Sequence, residues 1–140
     1  MKKIYIPILL AALIFTACGA AAPVQSSLSQ AQSAAATAEY HALTAQQAKE
    51  RMDSGAEIII VDVRTQAEYD EGHISGAIVL PNEEITTEMP AALPSKEAEI
   101  LLYCRSGNRS KQAADKLVAM DYTAVYDFGG IKDWPYEVVQ

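Results

Sequence analysis

Two short runs of almost unbroken aliphatic residues, Ile58 to Val63 and Ile100 to Tyr103, restrict this chain more than any other feature. A strand with one wet face alternates apolar and polar side chains. A run without that alternation suits a strand covered on both faces, as in a parallel sheet flanked by helices. The surrounding segments supply those helices. Thr44 with Gln47 fits a capping box, and the helix predicted over Ala45 to Ser54 stops at Gly55. Thr65 to Asp70 reads as a short helix, and Ser110 to Met120 places Ala113, Leu117 and Met120 at helical spacing. Ala77 to Leu80 and Thr123 to Phe128 are further strand candidates. Gly72, Gly76 and Pro81 punctuate the middle of the chain, and Pro90 and Pro94 make the region from Glu83 to Lys96 irregular. Strands alternating with helices predict a small α/β domain with a mainly parallel sheet and right-handed crossovers. There is no internal repeat and no dinucleotide-binding fingerprint.

The first residues do not belong to that domain. Lys2 and Lys3 precede an apolar run from Ile4 to Phe15 that closes on small residues, the layout of a secretory signal and too short to span a bilayer comfortably. The sequence Leu13-Ile14-Phe15-Thr16-Ala17-Cys18-Gly19 resembles the lipobox of bacterial lipoproteins, with Phe15 where that pattern prefers Leu. The resemblance implies cleavage before Cys18 and lipidation of its thiol, with ordinary signal cleavage as the alternative. Two acyl chains make membrane attachment stable. From Gly19 to Ala38 the chain is almost all Ala, Ser, Gln and Thr, too poor in large apolar groups to offset the entropy of ordering. The expected layout is therefore a signal over residues 1–17, a lipidated cysteine and tether over 18–38, and a folded domain over 39–140. The expected location is outside the cytoplasm, on a membrane.

With 11 Lys and Arg against 18 Asp and Glu the chain carries −7, and losing Lys2 and Lys3 takes it to −9. That sign disfavours nucleic-acid binding. With Cys18 modified, Cys104 is the one remaining thiol. An unpaired thiol in a compartment where disulfides form calls for a chemical explanation.

The segment Cys104-Arg105-Ser106-Gly107-Asn108-Arg109 sits between a buried strand and a helix start. Ligands of open α/β sheets bind at the carboxyl ends of strands. Loop and helix N-terminal amides there can converge on an anion, helped by a glycine free to take unusual dihedrals. Arg105 and Arg109 add positive charge near Cys104, which lowers a thiol's pKa, stabilises an anionic persulfide and attracts an oxyanion donor. The competing reading, a core cysteine that merely ends a strand, leaves the arginines and the glycine unexplained.

The Cys-Arg-Ser-Gly-Asn-Arg loop resembles the active-site loop of single-domain rhodaneses. Asp62-Val63-Arg64 with Glu68, Tyr69, Gly72, His73, Ile74, Gly76 and Ala77, and Gly129-Gly130 with Trp134, resemble the other signature regions of that family. The similarity spans about residues 40 to 135. It implies a rhodanese-like three-layer sandwich with a small, mainly parallel five-stranded sheet flanked by helices. It also implies transfer of sulfane sulfur from thiosulfate or a similar donor to a thiophilic acceptor such as cyanide, a thiol or a protein thiol, with no metal or organic cofactor. By the same match Cys104 is the persulfide-forming nucleophile and Arg105, Ser106, Gly107, Asn108 and Arg109 line its cradle.

Neighbouring residues carry less specific expectations. Asp62 and Arg64 either support the pocket or belong to structural ion pairs, such as Arg64 with Glu68. His73, between a glycine and an apolar residue, reads as satisfying backbone groups in a turn rather than as a general base. His41 and Trp134 read as edge and core residues, and Glu83 and Glu84 as a solvated face. Among alternative functions, a cysteine phosphatase or arsenate reductase would resemble this fold, but those patterns place five residues between the cysteine and the arginine, and here there are four. A non-catalytic or partner-dependent sulfur-carrier module, or a redox-defence role for Cys104, are the other two readings.

Overall fold

The computed structural model describes residues 40–140. The expected signal segment, Cys18 and the tether lie outside the described residues. In chain order the elements are β1 (Tyr40–Ala42), α1 (Ala45–Asp53), β2 (Ile58–Asp62), α2 (Gln66–Glu71), β3 (Ile78–Val79), β4 (Glu99–Cys104), α3 (Asn108–Ala119) and β5 (Val125–Gly130), followed by a 3-10 turn over Ile131–Asp133. The strands form one five-stranded sheet in the order β1-β5-β4-β2-β3, parallel at every pairing.

β4 is the middle strand, and its composition follows from that position. Ile100, Leu102 and Cys104 point to one face and pack with Ala113, Ala114 and Leu117 of α3; Leu101 and Tyr103 point to the other and pack with Ala48 of α1, Ile74, Phe128 and Trp134. All are fully or almost fully buried, so a polar residue at either parity would face an apolar layer. Burying a leucine here is worth about 1.5–3 kcal/mol. β2 runs beside β4 in register, Ile58 with Glu99 through Asp62 with Tyr103, which places Asp62 on the Tyr103 face, away from Cys104. The irregular stretch after β3 still contributes Ile85 and Leu93 to the α3 side of the core.

The helix starts obey their caps. Thr44 Oγ1 accepts the Gln47 amide and Gln47 Oε1 accepts the Thr44 amide, a complete box for α1. Thr65 and Glu68 form the same arrangement at α2.

Several expected bounds move. β1, three residues at the sheet edge, has no pattern of its own and exists by pairing with β5. The predicted strand Thr123 to Phe128 is observed two residues later and includes Gly129 and Gly130, because an irregularity in the β4–β5 register carries the strand past the glycines. The helix expected from Ser110 begins at Asn108, with Gly107 in the left-handed region at φ +95 as its N-cap. That cap has no side chain and leaves no Ser, Thr or Asp signature to find.

Candidate active site

β4 delivers Cys104 to the carboxyl edge of the sheet, and only three residues, 105–107, separate it from α3. The turn is short because Gly107 reverses the chain at positive φ. It is also seated closely on β5: a Cβ at Gly130 would lie 2.5 Å from the Arg105 carbonyl oxygen and 2.7 Å from Ser106 Cα. No residue other than glycine fits that position without moving the turn.

This geometry wraps backbone donors around sulfur. The Gly107 amide donates to Cys104 Sγ at 3.1 Å. Cys104 is 1% exposed. Burial pushes its thiol up, yet the amides of Ser110, Ser106 and Gly107 together with the Ser110 hydroxyl outweigh burial and hold it below the ordinary cysteine value. Ser110 is buried in the first turn of α3, and its hydroxyl also lies 3.1 Å from the Gly107 carbonyl and 3.3 Å from that of Gly129. In the sequence Ser110 reads only as a helix start. Its signal was a small hydroxyl residue one turn into a helix that follows a cysteine loop.

The expected residues divide into three groups. Cys104, Ser106 and Gly107 come together at the sulfur, while the Arg105, Ser106 and Asn108 side chains are exposed and open to solvent at the rim. Arg109 does not stand as a bare cation beside the thiol: its two terminal nitrogens each donate to Glu68 at 2.8 Å. Glu68 is thereby held down at about 2, chiefly by Arg109 and against burial, which raises it. Arg105 is in no ion pair among the described residues, so it brings uncompensated positive charge to the rim.

Asp62 and Arg64 form the third group. Arg64 donates from Nε and from a terminal nitrogen to Asp62 at 2.9 and 2.6 Å, and to the Gly72 carbonyl at 2.7 Å. The expected pairing of Arg64 with Glu68 is therefore replaced by Arg64 with Asp62 and Arg109 with Glu68: an arginine two residues from a buried carboxylate reaches it first. Both residues serve the Tyr103 face rather than the Cys104 turn. His73 stacks on Tyr69 with ring centroids 3.7 Å apart, its Nδ1 is 3.0 Å from the Tyr69 carbonyl oxygen, and its backbone bridges Val139. Among the described residues no three His, Cys, Asp or Glu side chains are grouped to hold a metal ion.

A cysteine held low by converging amides can act as a nucleophile and carry an anionic leaving or transferred group. The sequence profile of the rhodanese-like domain matches residues 44–136. Thiosulfate sulfurtransferase PspE of Escherichia coli (strain K12) is 38% identical over 73 residues, covering 52% of this chain and 70% of that protein. Thiosulfate sulfurtransferase GlpE of Pseudomonas fluorescens (strain SBW25) is 33% identical over 97 residues, 69% of this chain and 85% of its own length. A solved structure described as a rhodanese with anions from E. coli superposes with a TM-score of 0.55 at 35% identity, over 59% of this chain and 98% of that one.

Proposed function

Since the chain belongs to the rhodanese-like domain family, we propose that it is a sulfurtransferase that moves sulfane sulfur from thiosulfate, or a donor of the same chemistry, to a thiophilic acceptor through a persulfide on Cys104. The Cys104 thiolate attacks the outer sulfur of thiosulfate. A bond forms between the two sulfurs, the donor's S–S bond breaks, and sulfite leaves with the electron pair. An acceptor nucleophile such as cyanide then attacks the terminal sulfur of the persulfide, and the thiolate returns. Amides of residues 106, 107 and 110 stabilise negative charge on sulfur in both steps, and Arg105 draws the dianionic donor to the rim.

The observation that carries this reading is the set of backbone donors converging on a buried cysteine whose thiol they hold low. Thiocyanate formation from thiosulfate and cyanide tests it. Wild-type protein is expected to turn over and Cys104→Ser to lose transfer with its circular dichroism unchanged; equal activity in the two would refute the assignment.

We also propose, from the sequence Leu13 to Cys18, that the mature chain begins at Cys18, is lipidated there, and presents the domain on a tether outside the cytoplasm. Membrane fractionation checks it: Cys18→Ser is expected to move the protein to the soluble fraction, and persistence in the membrane fraction refutes the anchor.

A further inference from the structure

Asp127, in the middle of β5, is a carboxylate that is 6% exposed and in none of the ion pairs among the described residues. Its oxygens are occupied by the Gly129 amide at 2.9 Å and the Tyr40 hydroxyl at 3.2 Å. A buried carboxylate without a cation is costly, and an aliphatic residue at this strand position would avoid that cost. The register of β5 supplies the reason for it. β4 and β5 pair from Ile100 with Val125 to Leu102 with Asp127, and then shift so that Cys104 pairs with Gly130. One residue of β4 is matched by two of β5, which is a bulge. A bulge leaves an amide without a ladder partner, and Asp127 Oδ1 accepts that amide from Gly129, itself at φ +89.

The bulge decides what faces the cysteine. Without the shift Cys104 would face Gly129; with it, Cys104 faces Gly130, on which the turn of residues 105 and 106 is seated within the space of a hydrogen atom. The Gly129 carbonyl also accepts from the Ser110 hydroxyl at 3.3 Å, which seats the residue whose backbone amide donates to the sulfur. Two routes therefore lead from Asp127 to Cys104, one through Gly129 and Ser110, the other through Gly130 and the turn.

We infer that Asp127 is a positioning residue for Cys104, holding the β5 bulge in the register that seats Ser110 and the turn of residues 105–107 around the sulfur. Asp127 touches no reacting atom. Facing it are Tyr40 from β1, whose hydroxyl is pushed up to about 12 by burial and then by Asp127, and, beyond that ring, Asp115 and Lys111 of α3, paired with each other at 2.9 Å. The inference rests on Cys104 as the sulfur-carrying nucleophile. Its test reads the thiol itself, so absent sulfur transfer in the wild type would count against the proposed function without deciding this point.

The experiment is the pH dependence of Cys104 alkylation by iodoacetamide in the full chain, followed at the Cys104 peptide by mass spectrometry, with near-ultraviolet circular dichroism to report folding. Were Asp127 to act through its charge, Asp127→Ala and Asp127→Asn would both lower the midpoint, since removing a negative charge favours the thiolate. Were it only a packing residue, both would lower the melting temperature and leave the midpoint in place. Positioning separates the two variants. Asp127→Ala is expected to raise the midpoint by about one pH unit, while Asp127→Asn, whose amide oxygen still accepts the Gly129 N–H, stays within about 0.3 of wild type. If Asp127→Ala does not fold, Gly129→Ala strains the bulge from within and carries the same expected rise. An unchanged or lowered midpoint in the folded alanine variant, or an equal rise in Asp127→Asn, overturns the inference.

Discussion

Arg64 and Arg109 each grip a carboxylate with two nitrogens, but Arg64 and Asp62 lie in the core, with side chains 7% and 0% exposed, whereas Arg109 and Glu68 remain half-wet at 26% and 25%. The first pair is two residues apart in sequence and ties the end of β2 to the carbonyl of Gly72. The second is 41 residues apart and ties the start of α2 to the start of α3 across the site. A buried fork holds a frame at the risk of an orphaned charge. A half-exposed one contributes little to stability, and its place in the field around a thiol matters more.

Breaking the buried fork gives the largest effect. Arg64→Ala leaves Asp62 and the Gly72 carbonyl without their partner and is expected to cost about 3–5 kcal/mol in urea unfolding. The Cys104 alkylation midpoint of the protein that remains folded stays where it was, because neither residue touches the turn. A loss below about 1 kcal/mol would mean the two forks are equivalent after all.

The half-exposed fork is expected to show the reverse balance. Glu68→Gln costs at most about 1 kcal/mol of stability, but it frees the Arg109 charge, so the Cys104 midpoint falls and the KM for thiosulfate falls with it. The pH dependence of stability follows the same residue. Glu68 has its carboxyl depressed in the folded state from 4.5 to about 2, so its contribution is complete above about 4.5 and is lost as the pH falls toward 2. Acid unfolding of the wild type is expected to steepen across that window, and Glu68→Gln to flatten it. Identical acid limbs would show that the fork contributes nothing to folding.

Arg105, paired with no carboxylate among the described residues, sharpens the contrast at its weak end. Arg105→Ala is expected to leave stability within about 0.5 kcal/mol, to raise the KM for thiosulfate several-fold and to leave kcat nearly unchanged. Steady-state kinetics against donor concentration measures this, and an unchanged KM would remove Arg105 from donor capture.

What the sequence made legible follows from what burial imposes locally. The β2 and β4 runs announce themselves because both faces are covered, and Thr44 with Gln47 announces α1 because a capping box is written in four residues. Cys104 and Gly107 stand out by residue type. β1 does not, since Tyr40, His41 and Ala42 become a strand only when β5 is there to pair with them. The start of α3 and the end of β5 were displaced for a common reason: Gly107 and Gly129 read as breaks in a linear sequence but serve as a helix cap and a bulge in space. Arg109 reads as a bare charge because nothing local shows that Glu68, already occupied with the Thr65 cap, lies within its reach. Asp127 does not stand out because its contact is with the Gly129 amide, which no spacing rule encodes, and Ser110 reads only as a helix start because nothing local shows that its amide meets the sulfur.

That the sulfur is held chiefly by peptide amides has a consequence for how this domain responds to mutation. A scan that replaces side chains one at a time leaves the Ser106 and Gly107 amides in place, so it is expected to change little at Ser106 and Asn108 and to register Arg105 only in donor binding. Sensitivity reappears where side chains are absent or small, at Gly107 and Gly130, and at Ser110, so tolerance here ranks residues in the opposite order from their apparent chemical interest. Under the proposed function, changes of side chain at the rim would alter donor or acceptor preference while the curve of the main chain keeps its amides on the sulfur.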